Sequence, residues 1–323
     1  MKRLILIALL FIPGIVFGMR ERKVVRGTEG APNGYIEFLP NDYDGFKKFP
    51  TLIWWSGLGE TGDGSLKSLT DVIGKQGIAT WLRQNEVGFI VLLPQDANGW
   101  GKASPFVRWT LSKYTTINKG SLHMAGLSSG GYMVRDFINE GAEEYKLFST
   151  FTPMATNLDG AIPNVKRIVD NNQYVWAFAG EVDGGANMPG AQARFIAALQ
   201  KIAPSRGTIS IYKGIGHSSW NFTYNATGKA GVEIAAATWE GAAPFKWVDT
   251  PVTWWKWMLD HSKDLSIPPV DPPVDPPVDP KPEITWIVGI YAKSYPAVDS
   301  VFFTSEDGKR IFILKVDKKI IRP

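Results

Sequence analysis

Residues 121–137, SLHMAGLSSGGYMVRDF, combine an apolar run, a glycine-rich turn and a helical pattern. The turn has the spacing G-x-S-x-G, with Gly126 and Gly130 on either side of Ser128. A serine on a sharp strand-to-helix turn needs small residues at both flanks, because the backbone passes close to neighbouring strands and the serine adopts unfavourable dihedrals. The pattern therefore predicts that Ser128 is a nucleophile.

A serine hydroxyl attacks only when a base takes its proton, and the chain has three histidines. His123 lies inside the apolar run before the turn, where a structural role in the core is expected. His261 ends the helical pattern WWKWMLDHSK and is expected to help terminate that helix. His217 follows the strand pattern TISIYKG in a loop, from which a base can reach the serine. We expect His217 to be the base.

An acid that orients the imidazole is expected after the apolar run YVWAFAG, in the order serine, acid, histidine. Asp183 and Glu181 both qualify by position. Asp183 is preferred, because a short side chain on a glycine-bounded turn is held more tightly than a glutamate. Glu181 stays as the alternative acid, and a purely turn-forming role for Asp183 stays open.

Acyl transfer also needs two backbone donors for the oxyanion. The N–H of Ser129, directly after the nucleophile, is expected to be one donor. The other is expected in the loop SGLGETGDG after the run TLIWW, where Leu58 and Gly57 are the candidates. A phosphate-binding loop is the rival interpretation of this glycine cluster, but the cluster lacks the Lys-Ser/Thr pair that such a loop requires.

The chain has 13 tryptophans, several of them in predicted loops. Exposed indole rings can stack on sugar rings or phenolic acyl groups, although burial beneath long loops explains any single one equally well. Trp220, three residues after His217, is expected to line the substrate pocket. The other tryptophans assigned to loops are Trp100, Trp109, Trp239 and Trp247.

The elements that must position these residues alternate between short apolar runs and helical patterns. The runs cover residues 35–40, 51–57, 89–95, 121–128, 174–180 and 208–214. Such alternation predicts an α/β fold, a mostly parallel sheet with helices on both faces. Ligands bind at the carboxyl ends of the strands in sheets of this kind, which is where the candidate residues fall.

The chain is expected to comprise four parts. Residues 1–18 have a basic start and an apolar run and predict a signal peptide, so we expect a secreted, periplasmic or cell-surface protein. Residues 19–265 form the expected catalytic domain. Residues 266–282 repeat the unit PPVD and predict an extended proline-rich linker, and residues 283–323 predict a small β-rich module of three strands.

Composition excludes several classes of function. The chain has no cysteine, so a disulfide framework and a thiolate metal site are impossible, and three histidines argue against a histidine metal centre. The formal net charge is +4, and losing Lys2 and Arg3 with the leader leaves +2, which is too little to indicate nucleic-acid binding. No membrane span is expected after the leader is removed.

The motifs SGLGETGDG, GLSSGG, GEVDGG and GIGHSSW, in this order, resemble the esterase and lipase branch of the α/β-hydrolases. The likeness is to bacterial phospholipase/carboxylesterase and feruloyl-esterase-like enzymes and covers about residues 30–262. It implies a triad of Ser128, Asp183 and His217, oxyanion donors at Leu58 and Ser129, and no cofactor. One departure is Ser56-Gly57, where the family usually has His-Gly.

The hypothesis that follows is a secreted serine esterase acting on carboxylic esters, for example acetylated or feruloylated polysaccharide. A secreted serine peptidase of the same fold is the first alternative, because ester and amide cleavage share one tetrahedral intermediate. A non-catalytic surface- or carbohydrate-binding protein on a hydrolase scaffold is the second alternative, and it is suggested by the Ser56 departure together with the appended C-terminal module.

Overall fold

The computed structural model describes residues 18–75, 77–185, 188–224, 253–263, 300–304 and 311–315. The chain divides into two compact units, Met1–Val274 and Asp275–Pro323, with a boundary inside the expected linker. Some predicted features lie outside the described residues: residues 1–17 of the leader, the linker at 266–282, the first strand of the terminal module, Trp239 and Trp247.

Eight strands form the sheet of the first unit: β1 (Arg20–Val24), β2 (Tyr35–Leu39), β3 (Phe49–Trp55), β4 (Ile90–Pro94), β5 (Ile117–Leu127), β6 (Phe148–Met154), β7 (Tyr174–Gly180) and β8 (Gly207–Tyr212). Their spatial order is β1-β2-β4-β3-β5-β6-β7-β8. Strands β3 to β8 are parallel, whereas β2 is antiparallel to both of its neighbours. This is the mostly parallel sheet of an α/β-hydrolase fold, as the sequence predicts.

Helices cover both faces of the sheet: α1 (Leu66–Asp71), α2 (Gly77–Leu82), α3 (Ser104–Lys113), α4 (Ser129–Glu140), α5 (Val165–Asp170), α6 (Met188–Ile202), α7 (Trp220–Thr223) and α8 (Trp254–Asp260). Alternate residues of β3 point to opposite faces, so that Trp55 enters a core with α3 to α6 and Trp54 enters a second core with α1, α2 and α8. The two cores confirm the prediction of helices on both faces.

Three local features differ from the sequence prediction. β1 and β6 carry no clear apolar alternation: β1 reads RERKV at the sheet edge, and β6 reads FSTFTPM with a proline, although every one of its residues is buried. The helical pattern after Ser65 is broken into α1, a 3-10 turn at Ile73–Lys75 and α2. The backbone at this break requires glycine at position 74, since a Cβ there would lie 2.6 Å from the Leu69 carbonyl oxygen. Trp109 belongs to α3 and Trp220 begins α7, so neither lies in a loop as predicted.

The two histidines assigned to structural roles have contacts of that kind. His123 is fully buried in β5, with Nδ1 2.8 Å from the Thr150 hydroxyl and Nε2 3.0 Å from the Ser121 hydroxyl. Burial lowers the pKa of His123 to about 3, so this ring is neutral at ordinary pH. His261 caps α8, and its ring nitrogen Nδ1 lies 2.8 Å from the Trp257 carbonyl oxygen.

In the second unit the structure describes two strands, β9 (Ser300–Thr304) and β10 (Ile311–Lys315), which pair antiparallel. They coincide with the second and third strands predicted for the terminal module. Across the described parts of both units, no helix has the length and apolarity needed to cross a membrane. The same residues contain no group of three acidic or histidine side chains placed to hold a metal ion.

Candidate active site

Ser128 occupies a strained turn between the end of β5 and the start of α4. Its dihedrals are φ 53° and ψ −119°, a conformation that a residue with a side chain rarely adopts. Its N–H donates to the Met154 carbonyl oxygen at 2.9 Å, which ties the turn to β6. A Cβ on Gly126 would lie 2.3 Å from the Gly130 carbonyl oxygen, and a Cβ on Gly130 would lie 2.1 Å from that of Trp55. The flanking glycines are therefore required by close backbone contacts.

Ser128, His217 and Asp183 form a continuous chain of hydrogen bonds. The Ser128 Oγ lies 2.8 Å from Nε2 of His217, and Nδ1 of His217 lies 2.8 Å from Oδ2 of Asp183. The three residues follow β5, β8 and β7, whose carboxyl ends share one edge of the sheet. The Asp183 side chain is 3% exposed and that of His217 is 41% exposed. The His217 imidazole thus faces solvent, while the Asp183 carboxylate is shielded from it.

The alternative acid, Glu181, makes a different contact. Its carboxylate accepts the Gly214 N–H at 2.8 Å. Asp183, in contrast, holds His217 with one oxygen and accepts the Gly185 N–H at 3.3 Å with the other. The backbone contact fixes the carboxylate on its glycine-bounded turn, so the structure brings Asp183 and not Glu181 to the imidazole.

The two oxyanion candidates in the loop after β3 differ in what their N–H groups do. The Gly57 N–H donates to Oε2 of Glu60 at 2.7 Å and is therefore engaged. Those of Leu58 and Ser129 have no acceptor within the part of the chain that the structure describes. Gly57 lies against the turn at Ser128, since a Cβ on Gly57 would be 3.5 Å from the Cβ of Ser128. Leu58 and Ser129 therefore provide the two free donors, whereas Gly57 does not.

Glu60 is a residue of this site that the sequence analysis missed. Burial raises the pKa of its carboxyl group, although hydrogen bonds from the Gly57 N–H and the Ser56 hydroxyl act in the opposite direction. The spacing of Gly57 and Glu60 is that of a helix capping box, with glutamate three residues after the N-cap. That spacing is the signal by which Glu60 could have been found.

Two tryptophans lie near the candidate catalytic residues. The Trp220 ring packs at 90° on the His217 imidazole, with 5.3 Å between ring centroids, and is partly buried against the second core. Trp100 is 61% exposed and lies 5.4 Å from the Tyr132 ring. Its neighbour Gly99 approaches the side chains of Leu58 and Ser129, so this loop lies beside the two candidate oxyanion donors. The substrate contact expected of Trp220 stays a prediction.

The arrangement provides the components of acyl transfer: a strained, accessible hydroxyl, a base within hydrogen-bond reach, an acid that orients the base, and two free backbone donors. No residue of the set requires a metal or an organic cofactor for this chemistry.

No protein-family model matches the sequence, and no curated protein shows significant sequence similarity to it. Among solved structures, the fold resembles a thermostable esterase, with 23% identity, a TM-score of 0.47 and coverage of 65% of this chain and 60% of that one. It also resembles a feruloyl esterase module from Clostridium thermocellum complexed with sinapinate, with 16% identity, a TM-score of 0.45 and coverage of 65% and 87%.

A third similar structure is FphF, a fluorophosphonate-binding serine hydrolase from Staphylococcus aureus. It shares 15% identity with this chain at a TM-score of 0.43, over 64% of this chain and 94% of its own. The chain thus spans less than two thirds of the thermostable esterase but most of the other two structures.

Proposed function

We propose that the protein is a serine hydrolase that cleaves carboxylic esters through an acyl-enzyme on Ser128. The observation that carries the proposal is the pair of 2.8 Å hydrogen bonds that link Ser128 to His217 and His217 to Asp183. The strained turn at Ser128 and the free N–H groups of Leu58 and Ser129 support the same chemistry.

In this mechanism the Ser128 Oγ attacks the ester carbonyl carbon while its proton passes to Nε2 of His217. Asp183 stabilises the imidazolium, and the Leu58 and Ser129 N–H groups donate to the oxyanion. The bond to the alcohol oxygen then breaks, and the proton on His217 passes to that oxygen. Water attacks the acyl-enzyme, gives a proton to His217, and the carboxylic acid leaves as Ser128 regains its proton.

The proposal is tested with short p-nitrophenyl esters and the matching anilides. We expect the wild-type protein to hydrolyse the esters and Ser128→Ala to lose at least about 10³-fold in kcat, because the acyl-enzyme of the proposed mechanism forms on the Ser128 hydroxyl. Ser112→Ala, which removes an exposed hydroxyl near the end of α3, is the control and should keep full activity. Absence of ester hydrolysis by the wild type, or faster cleavage of the anilides, would contradict the proposal.

We further propose that the substrate is an acylated polysaccharide, acetylated or feruloylated, and that residues 283–323 attach the enzyme to it. The repeated PPVD segment and the separate second unit support this assignment. Deleting residues 266–323 should leave turnover of soluble esters unchanged but lower acid release from insoluble acylated polysaccharide several-fold, because local concentration at the polymer is lost. Equal release from the insoluble polymer by both proteins would rule out attachment.

A further inference from the structure

The loop after β3 is packed directly on the nucleophile turn. A Cβ on Gly130 would lie 2.6 Å from the Ser56 carbonyl oxygen, and a Cβ on Gly57 would lie 2.6 Å from the Leu127 side chain. The backbone of the loop therefore lies close to the Ser128 turn, with no room for a side chain on Gly57 or Gly130. Contacts of this kind fix the distance of the loop from Ser128, but they do not fix the rotation of its peptide groups.

The Glu60 carboxylate holds the start of this loop. It accepts the Gly57 N–H at 2.7 Å and also accepts the Ser56 hydroxyl, so the Ser56–Gly57 peptide is held directly before the peptide that carries the Leu58 N–H. The Glu60 carbonyl oxygen accepts a hydrogen bond at 3.1 Å from Nε2 of Gln95, a side chain that is 2% exposed. The one-turn helix Leu58–Glu60 is thus held from both ends.

This arrangement has a consequence for the N–H of Leu58. A 3-10 turn has few internal hydrogen bonds, so the direction of its first free N–H depends on what holds its N-cap. Here the N-cap is Gly57, which has no side chain to accept an N–H group of the turn. The N-cap is held by the Glu60 carboxylate, which accepts the Gly57 N–H.

We propose that Glu60 is a positioning residue: by holding the Gly57 N–H and the Ser56 hydroxyl, its carboxylate aims the Leu58 N–H at the oxyanion. The proposal rests on the esterase function proposed above. The contact of the Ser56 hydroxyl with the Glu60 carboxylate gives Ser56 a role in the same support of the loop.

The test uses two substitutions that separate position from charge. Glu60→Gln keeps an oxygen at the same reach and removes the charge, so kcat should stay within about 3-fold of wild type. Glu60→Asp keeps the charge and withdraws the oxygen by one methylene, so kcat should fall by about 10- to 100-fold, because loss of one aimed oxyanion donor typically costs about 10²- to 10³-fold. KM for p-nitrophenyl acetate should change by less than about 3-fold in both variants.

Glu86→Ala is the matched control for a purely structural effect. Glu86 is also partly buried and also accepts backbone N–H groups, from Asn41 at 2.9 Å and Gly88 at 2.8 Å, in the loop before β4 at the opposite edge of the sheet. Its variant should lower the urea midpoint of unfolding while kcat is unchanged. All variants are compared in the folded state, below their own midpoints.

The outcomes distinguish this proposal from the function on which it rests. Loss of wild-type activity in Ser128→Ala establishes the serine esterase in the same assay. With that activity present, a wild-type kcat in Glu60→Asp, or a Glu60→Gln variant as slow as Glu60→Asp, overturns the positioning role. A rise in KM without a fall in kcat overturns it as well, since an oxyanion donor acts in the transition state.

Discussion

Replacing His217 with alanine is expected to lower kcat for p-nitrophenyl acetate by about 10⁴- to 10⁶-fold, with little change in KM. The Nε2 atom of His217 is the group within 2.8 Å of the Ser128 hydroxyl that can take its proton, and the other two histidines are engaged in β5 and at the end of α8. Stopped-flow release of p-nitrophenol with the purified variant measures the effect.

The controls for this prediction come from the same site. The double variant Ser128→Ala/His217→Ala should be no slower than either single variant, because the two residues act as a unit. Asp183→Ala should lose about 10⁴-fold, whereas Glu181→Ala should keep full activity, since its carboxylate bonds the Gly214 N–H and not the imidazole. Additive losses in the double variant, or equal losses in the two acid variants, would show that the assignments are wrong.

Gly130→Ala is expected to destabilise the fold by at least about 3 kcal/mol and to abolish activity. The added Cβ would lie 2.1 Å from the Trp55 carbonyl oxygen and 2.6 Å from that of Ser56, and both atoms are backbone that cannot rotate away. Helix propensity alone predicts the opposite sign, because alanine is favoured over glycine within a helix by about 0.5–1 kcal/mol. We expect the steric clash to outweigh the gain in helix propensity, so the free energy of unfolding should fall.

This prediction is checked by measuring the urea unfolding of Gly130→Ala and of a control variant, Gly59→Ala. Gly59 lies in the neighbouring loop, and a Cβ on it would meet no atom within 4 Å. We expect the free energy of unfolding of Gly59→Ala to stay within about 0.5 kcal/mol of the wild-type value. A Gly130→Ala variant as stable as wild type would mean that the nucleophile turn is not packed as closely as described.

The sequence predicted the parts of the fold whose patterns are set by local physical requirements. The turn at Ser128 was found because strained backbone demands glycine at positions 126 and 130, and strand β7 was found because its six consecutive buried residues must be largely apolar. His217 was predicted to be the base by elimination, since a chain with three histidines offers few candidates, and the structure places its Nε2 2.8 Å from the Ser128 Oγ.

The features that the sequence analysis missed are set by tertiary contacts. β6 is recognised as a strand only from its burial between β5 and β7, because its hydroxyl residues and proline weaken the pattern. Which of the Gly57 and Leu58 N–H groups is free depends on a single hydrogen bond, from the Gly57 N–H to Glu60, which lies three residues further along the loop. Neither composition nor spacing distinguishes two adjacent peptide groups.

The acyl-enzyme mechanism is tested most directly by covalent labelling of the folded protein with a fluorophosphonate, followed by proteolysis and mass spectrometry. Phosphonylation with loss of fluoride requires an activated hydroxyl, so the label should appear once per chain, on the peptide that contains Ser128, and should be absent from Ser128→Ala. Labelling should also be strongly slowed in His217→Ala. An unlabelled wild-type protein, or a label on any other residue, would contradict the assignment of Ser128 as the nucleophile.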